Sequence, residues 1–249
     1  MRDQIVVAHI HPGEICTAFQ VSLDESYGFD STSAQQLHYP PLRNQCGVDL
    51  GKGRNEVVSA FLSKTDAAWL MFVDSDMGWE PDAIERLRAS ADPVERPVVG
   101  GLCFGYKRAA LSPQRAWRHN LHTTMYEWVA RPDEVGFQSM CDWPRGEMVR
   151  VGATGAAFLL IHRSVLVAIA DKLGETWFDN FTHPIGPKTF GEDMSFCLRV
   201  AAVDVPIFVN TDVQTSHEKR VCLDLWAFDS WPRIEHPDAA KDNAQGVST

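Results

Sequence analysis

Apolar runs alternate along the chain with stripes at helical spacing. Ile5-Val6-Val7-Ala8 reads as a first strand, stopped by His11-Pro12-Gly13. Asn55 offers a helix cap, and Val57, Val58, Phe61 and Leu62 follow at the spacing of one helical face. Ala67 to Val73 is almost continuously apolar, the pattern of a strand covered on both faces. Pro81 stands where a helix would begin, with Ile84, Leu87 and Ala91 on its apolar side. Val98-Val99 leads a short strand into Gly100-Gly101, and Ala156 to Ile161 is a further buried strand. Ser164 is a good cap for a helix lined by Val165, Leu166, Ile169 and Leu173. Met194, Cys197, Leu198 and Ala201 repeat that spacing, and Pro206 to Val209 closes the series as a last strand. Strands alternating with helices predict an α/β domain with a mostly parallel sheet and helices on both faces.

Two stretches break the alternation. Tyr106 to Arg150 has mixed periodicity and holds Arg108, Arg115, Arg118, Arg131, Arg145 and Arg150 among Trp117, Tyr126, Trp128 and Trp143. It reads as excursions from the sheet, short strands included, of the kind that shape a substrate side. From about Asp238 the chain is small and polar, the composition of a disordered tail.

Composition narrows the classes. The chain has 249 residues, 45% hydrophobic and 22% charged, as expected of a globular protein. Lys plus Arg is 23 and Asp plus Glu is 33, a net charge of −10, which argues against gripping a nucleic-acid backbone by bulk charge. No apolar run approaches the ~18–20 residues of a membrane span. Ile5 to Ala8, broken at His9, falls short of a signal-peptide core of about 7–15 residues, so a cytoplasmic location is expected. The six cysteines form no CxxC pair and read as reduced, mostly buried thiols.

Three acidic or imidazole features carry candidate chemistry. Asp74-Ser75-Asp76 directly follows the buried run ending at Val73. Ligands of open α/β sheets bind outside the carboxyl ends of the strands, and two carboxylates there can approach one hard divalent cation. An isolated DxD is more often a turn; the buried run before it and the amphipathic helix after it favour the ligand reading. Gly191-Glu192-Asp193 opens the Met194 helix, where acids either complement the helix dipole or present a general base. His217 follows the last strand and, as a lone histidine, reads first as structural or solvated; if the strand end brings it to the face of the aspartates, a neutral imidazole is a third metal ligand.

Together these residues resemble a GT-A fold glycosyltransferase, closest to the inverting family-2 type and its bacterial and bacteriophage relatives. The resemblance covers roughly residues 4–220, one GT-A domain of 1–220 with a Rossmann-like sheet and a C-terminal extension of 221–249. Its landmarks fall in order: Ile5 to Leu23 as the opening strand and loop, Arg54-Asn55 with Phe61-Leu62 as the first-helix signature, Asp74-Ser75-Asp76-Met77 as the DxD motif, Val151-Gly152-Ala153-Thr154-Gly155 as the glycine-rich turn, Gly191 to Cys197 as the acidic motif, and His217.

The resemblance implies transfer of one sugar, hexose first, from a nucleotide-diphosphate donor (UDP before GDP or dTDP) to an acceptor hydroxyl, with Mn²⁺ or Mg²⁺. Asp76 and His217 would hold the metal, with Asp74 on the ribose, the metal or its water shell. Asp193 would be the base, Glu192 its catalytic neighbour, and inversion the outcome. Pro12, Gly13 and Glu14 read either as a plain turn or as the wall of the nucleotide pocket, with Ser75 beside them. Arg54 reads either as a surface residue or as one reaching the nucleotide. Lys107 and Arg108 read first as solvated, second as partners of the diphosphate, and Trp177 first as core, second as a sugar platform. Gly152 and Gly155 would admit close approach of the ligand.

Many enzymes of the resembled type carry a QxxRW-type sequence; neither that nor a span is present, so the resemblance implies an enzyme that adds one sugar at a time rather than a processive synthase. The acceptor stays open among a glycan, a protein side chain, a small molecule and a modified phage DNA base; a phage-encoded enzyme would work in the host cytoplasm. The alternatives are a retaining transferase, a nucleotidyltransferase (which His9 to Glu14 does not favour, lacking its basic signature), and an inactive binding module.

Overall fold

The computed structural model describes residues 2–108, 119–131, 134–185 and 188–219. In chain order its elements are β1 (Arg2–His11), α1 (Thr17–Thr32), β2 (Leu37–Gln45), α2 (Leu50–Lys64), β3 (Ala67–Val73), β4 (Met77–Trp79) and α3 (Ala83–Ser90). Then come β5 (Val98–Leu102), β6 (Phe104–Arg108), β7 (His119–Thr123), β8 (Met125–Arg131), β9 (Glu134–Ser139), β10 (Met148–Val151), β11 (Ala153–Thr154) and β12 (Phe158–His162). The series ends with α4 (Arg163–Leu173), β13 (Phe181–Thr182), β14 (Thr189–Phe190), α5 (Glu192–Ala202) and β15 (Ile207–His217). The chain divides into two compact units, one of Met1–Tyr106 with Leu121–Lys219, the other of Lys107–Asn120 with Arg220–Thr249. The expected tail, the extension after residue 219, and Arg115, Trp117 and Arg118 lie outside the described residues.

The main sheet has eight strands in the order β10-β15-β5-β12-β3-β1-β2, with β4 paired to β15. Strands β1, β2, β3, β5 and β15 run one way, and β12, β10 and β4 run against them, so the sheet is mixed but mostly parallel. Alternation along β3 feeds two cores. Leu70 and Phe72 pack with Val57 and Phe61 of α2, Leu166 of α4 and Phe196 of α5, while Trp69 and Met71 pack with Phe19 of α1 and Leu87 of α3. Helices therefore cover both faces, which is why β3 is apolar at every position. The described part of the arginine-rich stretch contributes β8 and β9, which with β11 form a separate three-stranded sheet.

Several boundaries differ from the periodicity. Helix α2 starts at Leu50, capped by Asp49, whose side chain accepts from the Lys52 N–H. Gly51 and Gly53 in its first turns lower helix propensity and hide that start. Asn55 is thus inside the helix, and its amide clamps Phe178 N and Asp179 Oδ1 instead. Helix α3 begins after Pro81, at Ala83. The cap of α4 is His162, not Ser164. The Gly100-Gly101 pair lies within β5 rather than after it. Helix α1 has too weak an apolar stripe to be read, because Ser22 and Ser26 share its buried face and accept from Trp79 N and Nε1. Strand β2 carries Pro40 and Pro41, which an edge strand tolerates. Strand β15 runs on past Val209 to His217, because Thr211, Val213 and Thr215 keep the inward alternation. Of the described cysteines, Cys103 and Cys197 are buried, Cys16 and Cys46 half-buried and Cys141 exposed, so the thiols are less buried than expected.

Candidate active site

Strands β1, β3 and β15 end at one edge of the sheet because they run in the same direction. The Asp74-Ser75-Asp76 loop leaves β3 there and is pinned through its backbone. Asp74 N donates to Ala157 O at 2.9 Å, Cys16 N to Ser75 O at 3.0 Å, and Glu218 N to Asp76 O at 2.8 Å. The loop after β1, the approach to β12 and the end of β15 thus meet on three successive residues.

Arg54 lies behind this loop on α2, 1% exposed. Its Nη2 donates to Asp74 Oδ1 at 2.8 Å and lies 3.7 Å from Asp193 Oδ1, while Nη1 is 3.5 Å from Glu192 Oε1. The guanidinium stands about 6 Å from the ring centroids of Phe72 and Phe178 (6.0 and 5.8 Å). Phe178 stacks in turn on Phe196 of α5 at 4.5 Å and 6°. Burial alone would lower the Arg54 pKa, but Asp74, Asp193 and Glu192 outweigh it and raise it, so the cation is permanent. Asp74 and Asp193 keep 31% and 27% side-chain exposure, enough to meet a ligand. Burial pushes both carboxyls up despite Arg54; Asp193 and Asp76 add to the rise at Asp74, and Glu192 adds to it at Asp193. A carboxylate with a raised pKa is a better proton acceptor once ionised.

Asp76 and His217 form a second pair at the same edge. His217 Nε2 lies 3.1 Å from Asp76 Oδ2, and its Nδ1 faces Phe104 O at 2.9 Å. Lys219 Nζ donates to the same Asp76 oxygen at 2.7 Å. Burial would raise the Asp76 carboxyl, but hydrogen bonds from His217 and Lys219 outweigh it and hold it at about 2. Among the described residues no group of three or more His, Cys, Asp or Glu is gathered to hold a metal. Asp76 and His217 are a hard oxygen and an imidazole nitrogen side by side, a donor set that fits two protein positions of a Mn²⁺ or Mg²⁺ site, the rest being open to phosphate oxygens and water.

No protein-family profile matches the chain, and no curated protein does. Among solved structures it is similar to GalNAc-T7 with UDP, GalNAc and Mn²⁺, at a TM-score of 0.52 and 10% identity. The fold is GT-A-like. That match covers 88% of this chain and 44% of the other, so this chain spans less than half of that protein's length. It is also similar to A197 from STIV, at a TM-score of 0.48 and 15% identity, over 87% and 86% of the two chains.

On this GT-A-like frame the expected site residues divide. Asp74, Glu192 and Asp193 converge on Arg54, and Asp76 meets His217. Pro12, Gly13 and Glu14 are exposed in the loop after β1, where Gly13 takes a φ of +121° that favours glycine. That loop reaches Ser75 through Cys16. Gly155 lies beside the acid pair: a Cβ there would stand 3.5 Å from Asp193 Oδ2. Gly152 packs against protein, since its Cβ would meet Trp128 N at 2.8 Å. Trp177 is fully buried and donates to Leu166 O, so it is core. Lys107 and Arg108 end β6. Arg54 is enclosed rather than at the surface.

Two participants escaped the sequence reading. Lys219 follows His217 by two residues with no motif to flag it. Tyr126 of β8 is half-buried, its hydroxyl pKa raised by burial and by the charge of Asp193. The burial of Arg54 did have a signal: with Val57, Val58 and Phe61 it occupies the i, i+3, i+4, i+7 stripe that α2 turns inward.

Proposed function

We propose that this chain is a divalent-metal-dependent glycosyltransferase that moves one sugar from a nucleotide-diphosphate donor to an acceptor hydroxyl with inversion. The observation that carries the reading is the convergence of Asp74, Glu192 and Asp193 on Arg54, beside the Asp76–His217 pair, at the carboxyl edge of a GT-A-like sheet. Asp74 of the DxD loop is 118 and 119 residues from the first-turn helix acids Glu192 and Asp193, and one buried cation draws all three together.

The residues divide the chemistry. Asp76 and His217 would hold the divalent cation, which supplies Lewis-acid charge for the departing diphosphate. Asp74, fixed by Arg54, faces the donor side. Asp193 accepts the proton of the acceptor hydroxyl as its oxygen bonds to the anomeric carbon. The bond from that carbon to the diphosphate oxygen breaks, and its electron pair leaves with the nucleotide. Attack from the face opposite the leaving group inverts the centre. The raised pKa of Asp193 suits a base that must take a proton only in the transition state.

Purified protein with Mn²⁺ or Mg²⁺, screened against a panel of nucleotide sugars beginning with UDP-hexoses, tests this by nucleotide release. Metal-dependent release from one donor is expected, and Asp76→Ala should abolish it. Asp193→Asn should leave donor binding intact and lower transfer about 10²–10⁴-fold, the usual scale of general-base catalysis. Donor turnover that ignores metal and Asp76→Ala would overturn the reading.

A further inference from the structure

We propose that Arg54 is a positioning residue that sets the donor-side carboxylate, Asp74, and the acceptor-side carboxylates, Glu192 and Asp193, in one fixed arrangement. The inference rests on the transferase reading and on Asp193 as its base. Three elements separated in sequence supply the parts: α2 the cation, the end of β3 one acid, the first turn of α5 the other two. Among the described residues Arg54 is the sole Lys, Arg, Asp or Glu that is fully buried. Enclosing a cation is costly unless it is well paired, so its place in a core stripe calls for a role that an apolar residue could not fill.

The shape of the side chain supplies that role. A guanidinium is a rigid planar fork, and here one nitrogen serves Asp74 and Asp193 while the other serves Glu192. The fork is held from behind by Phe72 and Phe178, and Phe178 is stacked on α5 itself. Movement of α5 against β3 would break the arrangement on one side or the other. Asp193 Oδ1 is buried with no hydrogen-bond partner and faces Arg54 at 3.7 Å, while a backbone hydrogen bond from Ala156 also holds the carboxylate, which keeps 27% side-chain exposure. Enclosed behind the carboxylates, Arg54 would act through them.

The test is a double-mutant cycle on transfer by the full chain with metal, using the donor found by the screen. A lysine retains the charge and loses the fork, so Arg54→Lys should lower transfer kcat about 10²-fold, the scale of a misplaced reacting group. In the Asp193→Asn background the same change should lower residual transfer by less than about tenfold, because the proton-accepting carboxylate is gone and only Asp74 and Glu192 remain to be displaced. Equal losses in both backgrounds indicate general damage and overturn the proposal, as do wild-type rates in Arg54→Lys. If Asp193→Asn itself transfers at the wild-type rate, the base assignment falls and the proposal with it; an inactive Asp193→Asn beside a fully active Arg54→Lys removes the proposal alone. Should circular dichroism show Arg54→Lys unfolded, Arg54→Met with Glu192→Gln removes the cation together with one partner. A folded, weakly active pair then supports positioning. A folded, fully active pair overturns it, and so does failure of both variants to fold, which would make Arg54 a folding residue.

Discussion

At Asp76 three influences compete, and their balance is measurable. Burial disfavours the charged carboxylate, while His217 and Lys219 favour it more strongly, so its pKa falls from 3.8 to about 2. Its contribution to stability is therefore complete above about pH 4 and lost as pH falls towards 2. At His217, burial opposes the charged ring, but the hydrogen bonds to Asp76 and Phe104 O win, raising the pKa above 6.5. Its contribution is complete below pH 6.5 and fades as pH rises through the raised value. Asp76→Asn should then destabilise the metal-free protein most between about pH 4 and 6.5, and less on either side. The size should be about 1 kcal/mol or less, because the carboxylate is over a third exposed. Urea unfolding across that range checks it, and a pH-independent loss would contradict it. Sequence could name Asp76 and His217 as candidates. It could not weigh these influences, since Lys219 and the Phe104 carbonyl enter only through space.

At the scale of elements, helix α2 decides the site because it carries Arg54. Its first turn passes so close to the segment between α4 and β13 that a Cβ on Gly51 would stand 2.6 Å from Phe178 O. Alanine at an unobstructed helical glycine stabilises by up to about 1 kcal/mol. Gly28 of α1 has nothing within 4 Å of such a Cβ, and Gly28→Ala should show that gain in urea unfolding. Gly51→Ala should reverse the sign. Overpacking of about 1–3 kcal/mol exceeds the propensity gain, and α2 must shift with Arg54 on it. Activity should fall together with stability at Gly51 and stay unchanged at Gly28. Elements with continuous apolar runs or clean helical stripes, such as β3 and α4, were legible in the chain. Helix α1 and the end of β15 were not, because serines and threonines occupy their buried faces and take partners that only the assembled layers supply.

At the scale of the whole molecule, the strand order brings the ends of β1, β3 and β15 to one edge, although Asp74 and His217 are far apart in sequence. The net charge of −10 is no obstacle to a diphosphate there, since Arg54 and Lys219 offset part of the local charge and a divalent cation would add to them. A nucleotide diphosphate that binds only the folded chain should raise its stability by about 2.7 kcal/mol at a hundred times its Kd. Thermal unfolding with UDP and Mn²⁺ together should show that rise. Either component alone should give less, and Asp76→Ala should remove the difference. A shift from UDP that is indifferent to metal would speak against Asp76 and His217 as its holders.

The sequence alone determined the α/β class, because burial on both faces of a sheet writes itself as unbroken apolar runs. It also pointed to the acids and the histidine worth examining, because a motif's place after such a run predicts which end of the sheet it occupies. Tertiary structure decided what those residues do to one another. Whether Arg54 is a surface residue or an enclosed cation depends on which face of α2 is covered. The rise at Asp74 and Asp193 against the fall at Asp76 depends on burial and on charges contributed by α2, α5 and the chain after β15. Electrostatic energy follows distance and solvent access, and neither is a property of neighbours along the chain.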